Sequence, residues 1–216
     1  MPSIQLAAKL EGERAVYERE IASALEDVAA FFQGAGFDLG AEGLIDSVIV
    51  FEETADAKEY FAKAFGAAPE DLPATFSGTV IGRSLYLVSR EEYQAIWKQL
   101  YADWPWTSET YHGLIVHELA HRAHESIAIA QLGTADAMGP TWFFEGLAVA
   151  CAEQFAGKEP LMTREEIERQ VAGNTVPIVS YPLYGRLVRS LAGQFPLKML
   201  IMRASEARFP SIMWEK

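Results

Sequence analysis

Along this chain, stretches in which apolar side chains recur at helical spacing are interrupted by short apolar runs bounded by turn residues. Residues 11–33 read as a helix ended by Gly34 and Gly36, and residues 47–51 as a short buried strand. A helix over 55–65 follows, then a turn over 69–73, then two strands, 75–81 and 84–89, around a Gly82-Arg83 turn. A short helix over 90–101 and a Trp104-Pro105-Trp106 loop lead to a long helix near 109–132. From there the pattern stays helical, over 141–155, 163–172 and 182–194, with Thr163 and Glu166 spaced as a capping box. This order predicts an α+β fold: a sheet-containing part over about 1–105 and a helical part over 106–216, as one domain or two small lobes.

The helix over 109–132 carries His117-Glu118-Leu119-Ala120-His121. Helical positions four apart stand one above the other, so His117 and His121 can grip one metal ion from the same face. Glu118 lies about 100° round the axis, too far to be a third ligand but able to reach a water on the metal. Shuffling a chain of this composition would produce H-E-x-x-H in roughly one chain in a hundred, so context has to add weight. It does: Leu114, Ile115, Val116, Leu119, Ala120 and Ala123 surround the motif. Two imidazoles and a carboxylate buried among them need compensating partners, which a metal supplies. The plain alternative is a core helix whose histidines are satisfied by backbone carbonyls.

Glu145 is a second, independent signal. From Trp142 to Ala152 it is the only charged residue, and no Lys or Arg lies within one helical turn of it. A zinc ion (Zn2+) held by His117 and His121 would compensate it; a salt bridge to Arg122 or Arg164 is the structural alternative. Gly146 is expected to let the histidine helix and the Glu145 helix approach closely.

On these residues the chain resembles the gluzincins, zinc metallopeptidases in which H-E-x-x-H is completed by a glutamate on the next helix. It is most similar to the catalytic unit of aminopeptidase N-like and related small peptidase-MA-type proteins. Their second motif, W-x-x-E-G-x-A, is matched by Trp142, Glu145, Gly146 and Ala148. Their next helix is often preceded by a tyrosine that hydrogen-bonds the tetrahedral intermediate. The stretch from Tyr181-Pro182-Leu183-Tyr184-Gly185 to Leu191 is similar, with the glycine displaced by one, which makes Tyr181 the better candidate and Tyr184 the runner-up. The resemblance covers about 111–191 and implies a zincin-like fold: a sheet-containing lobe, then the H-E-x-x-H helix and a glutamate helix. It also implies that a sheet edge above the metal pairs with an extended substrate, 75–81 or 84–89 being that edge. Two features depart from it. No G-x-M-E-N strand precedes His117, so an endopeptidase accepting blocked amino termini is expected rather than amino-terminal trimming. The spacing from His121 to Glu145 is a little longer than in those enzymes, and Ile127 stands where a metzincin would place its third histidine, which removes the metzincin alternative.

His124 continues the stripe of His117 and His121, but three residues stacked on one helix cannot surround a tetrahedral ion. It reads as a histidine beside the site or at the surface, and His112 as a helix-start residue; Asp136 and Glu109 are the candidates to orient the ligands. The formal charge of −12 argues against nucleic acid and anionic membranes as partners, and no apolar run is long enough to span a membrane. The single Cys151 excludes an internal disulfide and reads as a small buried hydrophobe. The start, Met1-Pro2-Ser3-Ile4-Gln5, shows no signal peptide, so a cytoplasmic location is the default expectation.

The chemistry expected of this set is peptide hydrolysis. Ligands from His117, His121 and Glu145 leave zinc's fourth position to water, whose pKa falls to about 7 on such a site. Glu118 would take the proton as water attacks the carbonyl carbon and pass it to the leaving amine, while Tyr181 would help to hold the oxyanion. A hydrolase of non-peptide amides or esters uses the same parts. A zinc-bearing module that binds peptides without turnover has no need of Glu118.

Overall fold

The computed structural model describes residues 1–68, 73–157, 160–171 and 180–215. The turn expected over 69–73 and the last residue of the helix expected over 163–172 lie largely or wholly outside them. The fold is α+β, with two compact units: Met1–Glu26 with Gly40–Leu119, and Asp27–Leu39 with Ala120–Lys216.

The first unit is built on a four-stranded mixed sheet in the order β1 (Ser3–Leu6), β2 (Ser47–Phe51), β4 (Ser84–Val88), β3 (Gly78–Ile81). Strands β1, β2 and β4 are parallel, and β3 is antiparallel to β4. In β4 every residue from Leu85 to Val88 is buried, as an interior strand covered on both faces requires. The hairpin turns at Gly82, whose φ of 58° is the positive value that a two-residue hairpin turn demands. Strand β1 lacks a distinctive sequence signal: its four residues become a strand by parallel pairing with β2, Ile4 opposite Val48. The strand expected over 75–81 begins at Gly78, and Phe76 instead turns its ring into a cluster with Phe61.

Around the sheet are α1 (Arg14–Gly34), which runs on into the second unit, α2 (Thr54–Phe65) and α3 (Arg90–Leu100). Helix α2 starts with a reciprocal cap between Glu53 and Asp56 and ends at Gly66 with φ 68°. Ser89 caps α3 by accepting from the Glu92 amide at 3.2 Å. The long helix α4 (Glu109–Leu132) matches the expected bounds and belongs to both units, the division falling after Leu119.

The second unit is helical: α5 (Thr141–Cys151), α6 (Arg164–Val171), α7 (Tyr181–Ala192) and α8 (Leu197–Arg203). The Thr163–Glu166 capping box forms, with Thr163 N donating to Glu166 Oε2 at 2.7 Å and Glu166 N to Thr163 Oγ1 at 3.3 Å. Helix α5 stops four residues before the expected 155. Phe155 is buried, which made the apolar pattern run on, but it is reached through left-handed backbone at Glu153 (φ 50°) and Phe155 (φ 53°). The Arg189 guanidinium holds that bend by donating to the carbonyls of Gln154 and Phe155.

The core of this unit is the crossing of α5 and α7. A Cβ on Gly146 would stand 2.4 Å from the Tyr184 carbonyl oxygen, and one on Gly185 would stand 2.3 Å from Val149 Cγ1, so each glycine lets the other helix rest on bare backbone. This corrects the expectation for Gly146: the helix it admits is α7. No helix among the described residues is long and apolar enough to cross a membrane.

Candidate metal centre

The middle of α4 is enclosed: Leu114, Ile115, Leu119, Ala120 and Ala123 are all 3 % exposed or less. Its start is tied to the first unit by Tyr111, whose hydroxyl donates to the Val88 carbonyl at 2.8 Å. One residue on, His112 Nδ1 lies 3.3 Å from Glu20 Oε2, and the other oxygen of Glu20 accepts from Arg90 at 2.9 Å. His112 is thus a first-turn residue anchoring α4 to α1. His117 is 6 % exposed, and Glu118 and His121 are half-buried.

On α5, Glu145 is half-buried between Phe144 and Gly146, and its Oε2 lies 3.4 Å from His121 Nε2. Two donor atoms bound about 2.0–2.1 Å from a tetrahedral zinc stand about 3.3–3.4 Å apart, so this pair already has the spacing of one edge of the tetrahedron. The His121 ring packs edge-on against Phe144 and the His124 ring against Phe143, and these two contacts hold α5 in register on α4. With His117 one turn earlier on the same helix, His117, His121 and Glu145 each offer a ligand atom, and the three lie within 4.8 Å of one another. Two imidazoles and a carboxylate are a donor set that zinc accepts. Of the arginines considered as partners of Glu145, Arg122 bonds Glu125 at 2.6 Å and Arg164 bonds Glu168 at 3.0 Å.

Glu118 points toward strand β3. A Cβ on Gly78 would stand 3.2 Å from Glu118 Cγ, so the strand passes directly over the proposed base. Of the two strands considered as a substrate edge, β3 is at the margin of the sheet and β4 is interior. Val88 N donates to Ser77 O at 2.9 Å, which marks Ser77–Val88 as a hydrogen-bonded antiparallel pair. Alternation along the register then turns the N–H and C=O of Gly78 and Val80, opposite Leu87 and Leu85, away from β4 toward the open edge.

Tyr181 is the first residue of α7, one position earlier than expected for the helix start, because Pro182 suits the first helical turn and does not need to begin it. It is half-buried, whereas Tyr184 is 4 % exposed and packs. His124 is 1 % exposed, which excludes the surface position considered for it. Neither of its ring nitrogens has a hydrogen-bond partner among the described residues, and burial, with the charge of His121, lowers its pKa from 6.5 to about 3. Glu109 and Asp136 are both exposed, Glu109 beside Ser108 and Asp136 in a short 3-10 turn, so neither has the enclosed position that orienting a ligand requires. Cys151 is buried as expected, and burial raises its thiol pKa, which makes it inert.

Gly78 was not singled out from the sequence. Its signal was there: a lone glycine at the head of an apolar strand often marks close approach of another group. Comparison with known proteins returns no match to any family model, any curated protein or any solved structure.

Proposed function

We propose that this protein is a zinc-dependent metallopeptidase of gluzincin type, with a zincin-like arrangement of sheet edge, histidine helix and glutamate helix. The observation that carries the proposal is the convergence of His117, His121 and Glu145 within 4.8 Å, from residues 24 positions apart in sequence at His121 and Glu145. When bound there, zinc would supply Lewis acidity and lower the pKa of a coordinated water to about 7. Glu118, on the same helix but on an adjacent face, accepts the proton of the attacking water and delivers it to the leaving amine. Gly78 and Val80 offer outward backbone donors and acceptors to an extended peptide, and strand addition at such an edge draws its affinity from main-chain hydrogen bonds. This favours a peptide over a small ester or amide, which has no backbone to pair. Tyr181, half-buried at the start of α7, is the proposed donor to the oxyanion.

The test uses purified protein loaded with zinc, a library of peptides with free and blocked amino termini, and two variants. Wild type should bind one zinc and cleave internal bonds in blocked peptides. Glu118→Gln should keep the zinc and lose cleavage, because an amide cannot accept the proton. Glu145→Ala should weaken zinc binding sharply. Zinc affinity unchanged in Glu145→Ala removes that ligand, and zinc-loaded wild type that cleaves no peptide overturns the peptidase.

A further inference from the structure

We infer that Gly78 is a positioning residue for Glu118, its missing side chain setting where the carboxylate of the base can stand. A Cβ at position 78 would meet Leu87 Cδ2 at 3.1 Å, Glu118 Cγ at 3.2 Å and the Tyr86 carbonyl oxygen at 3.3 Å. All three distances are shorter than carbon is ordinarily found from such atoms, so something has to yield by a few tenths of an ångström. The three neighbours differ in how freely they can. Tyr86 O belongs to the backbone of β4, which is paired on both sides, with Ile49 of β2 and Thr79 of β3. Leu87 is fully buried in close packing, where moving a methyl displaces its own neighbours. Glu118 is half-buried, and rotation about its Cα–Cβ bond moves Cγ without breaking any backbone pairing. The displacement therefore falls on Glu118.

Glycine at this position otherwise weakens the strand. It carries more backbone entropy than alanine and packs no side chain, so an edge strand built for stability alone would not place it there. Its presence is accounted for by the contact it permits. With no Cβ, the Gly78 backbone lies on the Glu118 side chain, while the Gly78 N–H and C=O face the open edge. The same residue thus supports the base from one side and presents pairing groups to an incoming strand. The catalytic meaning of this contact rests on Glu118 being the base proposed above; the contact itself does not.

The test is a thermal-stability cycle combined with kinetics. Wild type, Gly78→Ala, Glu118→Ala and the double variant are melted in metal-free form. Gly78→Ala should lower the melting temperature when Glu118 is present, and lower it less or raise it when Glu118 is alanine, because the clashing Cγ is then gone. This comparison holds even if Gly78→Ala alone is too unstable to assay, since the double variant should then regain folding. In the zinc-loaded protein, Gly78→Ala should keep one zinc with unchanged affinity, because Glu118 is not a ligand, and lose about 10- to 100-fold in kcat with KM little changed. Additive melting shifts in the cycle overturn the positioning role. So does a folded Gly78→Ala with wild-type kcat. If the shifts are coupled but wild type cleaves nothing, Gly78 does position Glu118, and it is the hydrolase function that falls.

Discussion

His124 offers the sharpest quantitative check on the second unit. It is 1 % exposed and held neutral, with its pKa lowered from 6.5 to about 3 by burial and by the nearby charge of His121. In the unfolded chain it returns to 6.5, so between these two values the unfolded state binds a proton that the folded state refuses. Stability therefore rises with pH through this window: the contribution is fully present above 6.5 and is lost progressively as pH falls toward 3. At pH 4.5 the unfolded histidine is two units below its midpoint, and at about 1.36 kcal/mol per unit the loss is about 2.7 kcal/mol. Any folded-state value below about 4 gives nearly the same figure. The perturbation is His124→Leu, which keeps an apolar helix former of similar size and removes two buried nitrogens that have no hydrogen-bond partner among the described residues. Urea unfolding of both proteins at pH 7.5 and pH 4.5 gives four stabilities. The measurements use metal-free protein, because the proposed zinc binding at His117 and His121 would itself be linked to protons. All other groups titrate in both proteins, so the difference between the two pH-dependent losses isolates His124. Wild type should lose about 2.7 kcal/mol more than His124→Leu on acidification, and at pH 7.5 the variant should be as stable or more so. Equal losses within about 0.5 kcal/mol, the usual scatter of such comparisons, would refute a buried neutral His124.

Gly146→Ala should destabilise by at least about 1–3 kcal/mol, the usual cost of overpacking, because its Cβ would sit 2.4 Å from the Tyr184 carbonyl oxygen; denaturant unfolding measures this, and a neutral result means that α5 and α7 do not cross at that residue. Tyr181→Phe should lower kcat by about a hundredfold to a thousandfold with KM and zinc content nearly constant, as loss of one oxyanion donor does. Tyr184→Phe should leave kcat near wild type, since that ring is buried, and the reverse pattern would exchange their roles.

What could be read from the sequence was what depends on neighbours in the chain. His117, Glu118 and His121 lie within five residues, and helical geometry alone stacks the two imidazoles and turns Glu118 aside. Glu145 stood out because ten apolar or small neighbours made its charge conspicuous, and strand 47–51 because a run of five residues between turn signals admits few other conformations. The tertiary structure alone decided whatever depends on pairing across distance. Ser3–Leu6 is a strand only because Ser47–Phe51 lies beside it, and four residues carry too little periodicity to announce that. Gly146 signals close approach of a helix, but that the helix is α7 follows from its opposing Gly185. Burial of Phe155 extends the apolar pattern, whereas the end of α5 is set by a left-handed bend that Arg189 caps from 34 residues away. His124 could not be placed from the pattern because the histidines of α4 stand at both buried and half-buried positions, and Phe143 packed against it shows which way it faces. The meeting of Gly78 with Glu118 joins residues 40 positions apart through the register of β3 on β4, and register is a property of the assembled sheet, set by which side chains its two faces bury.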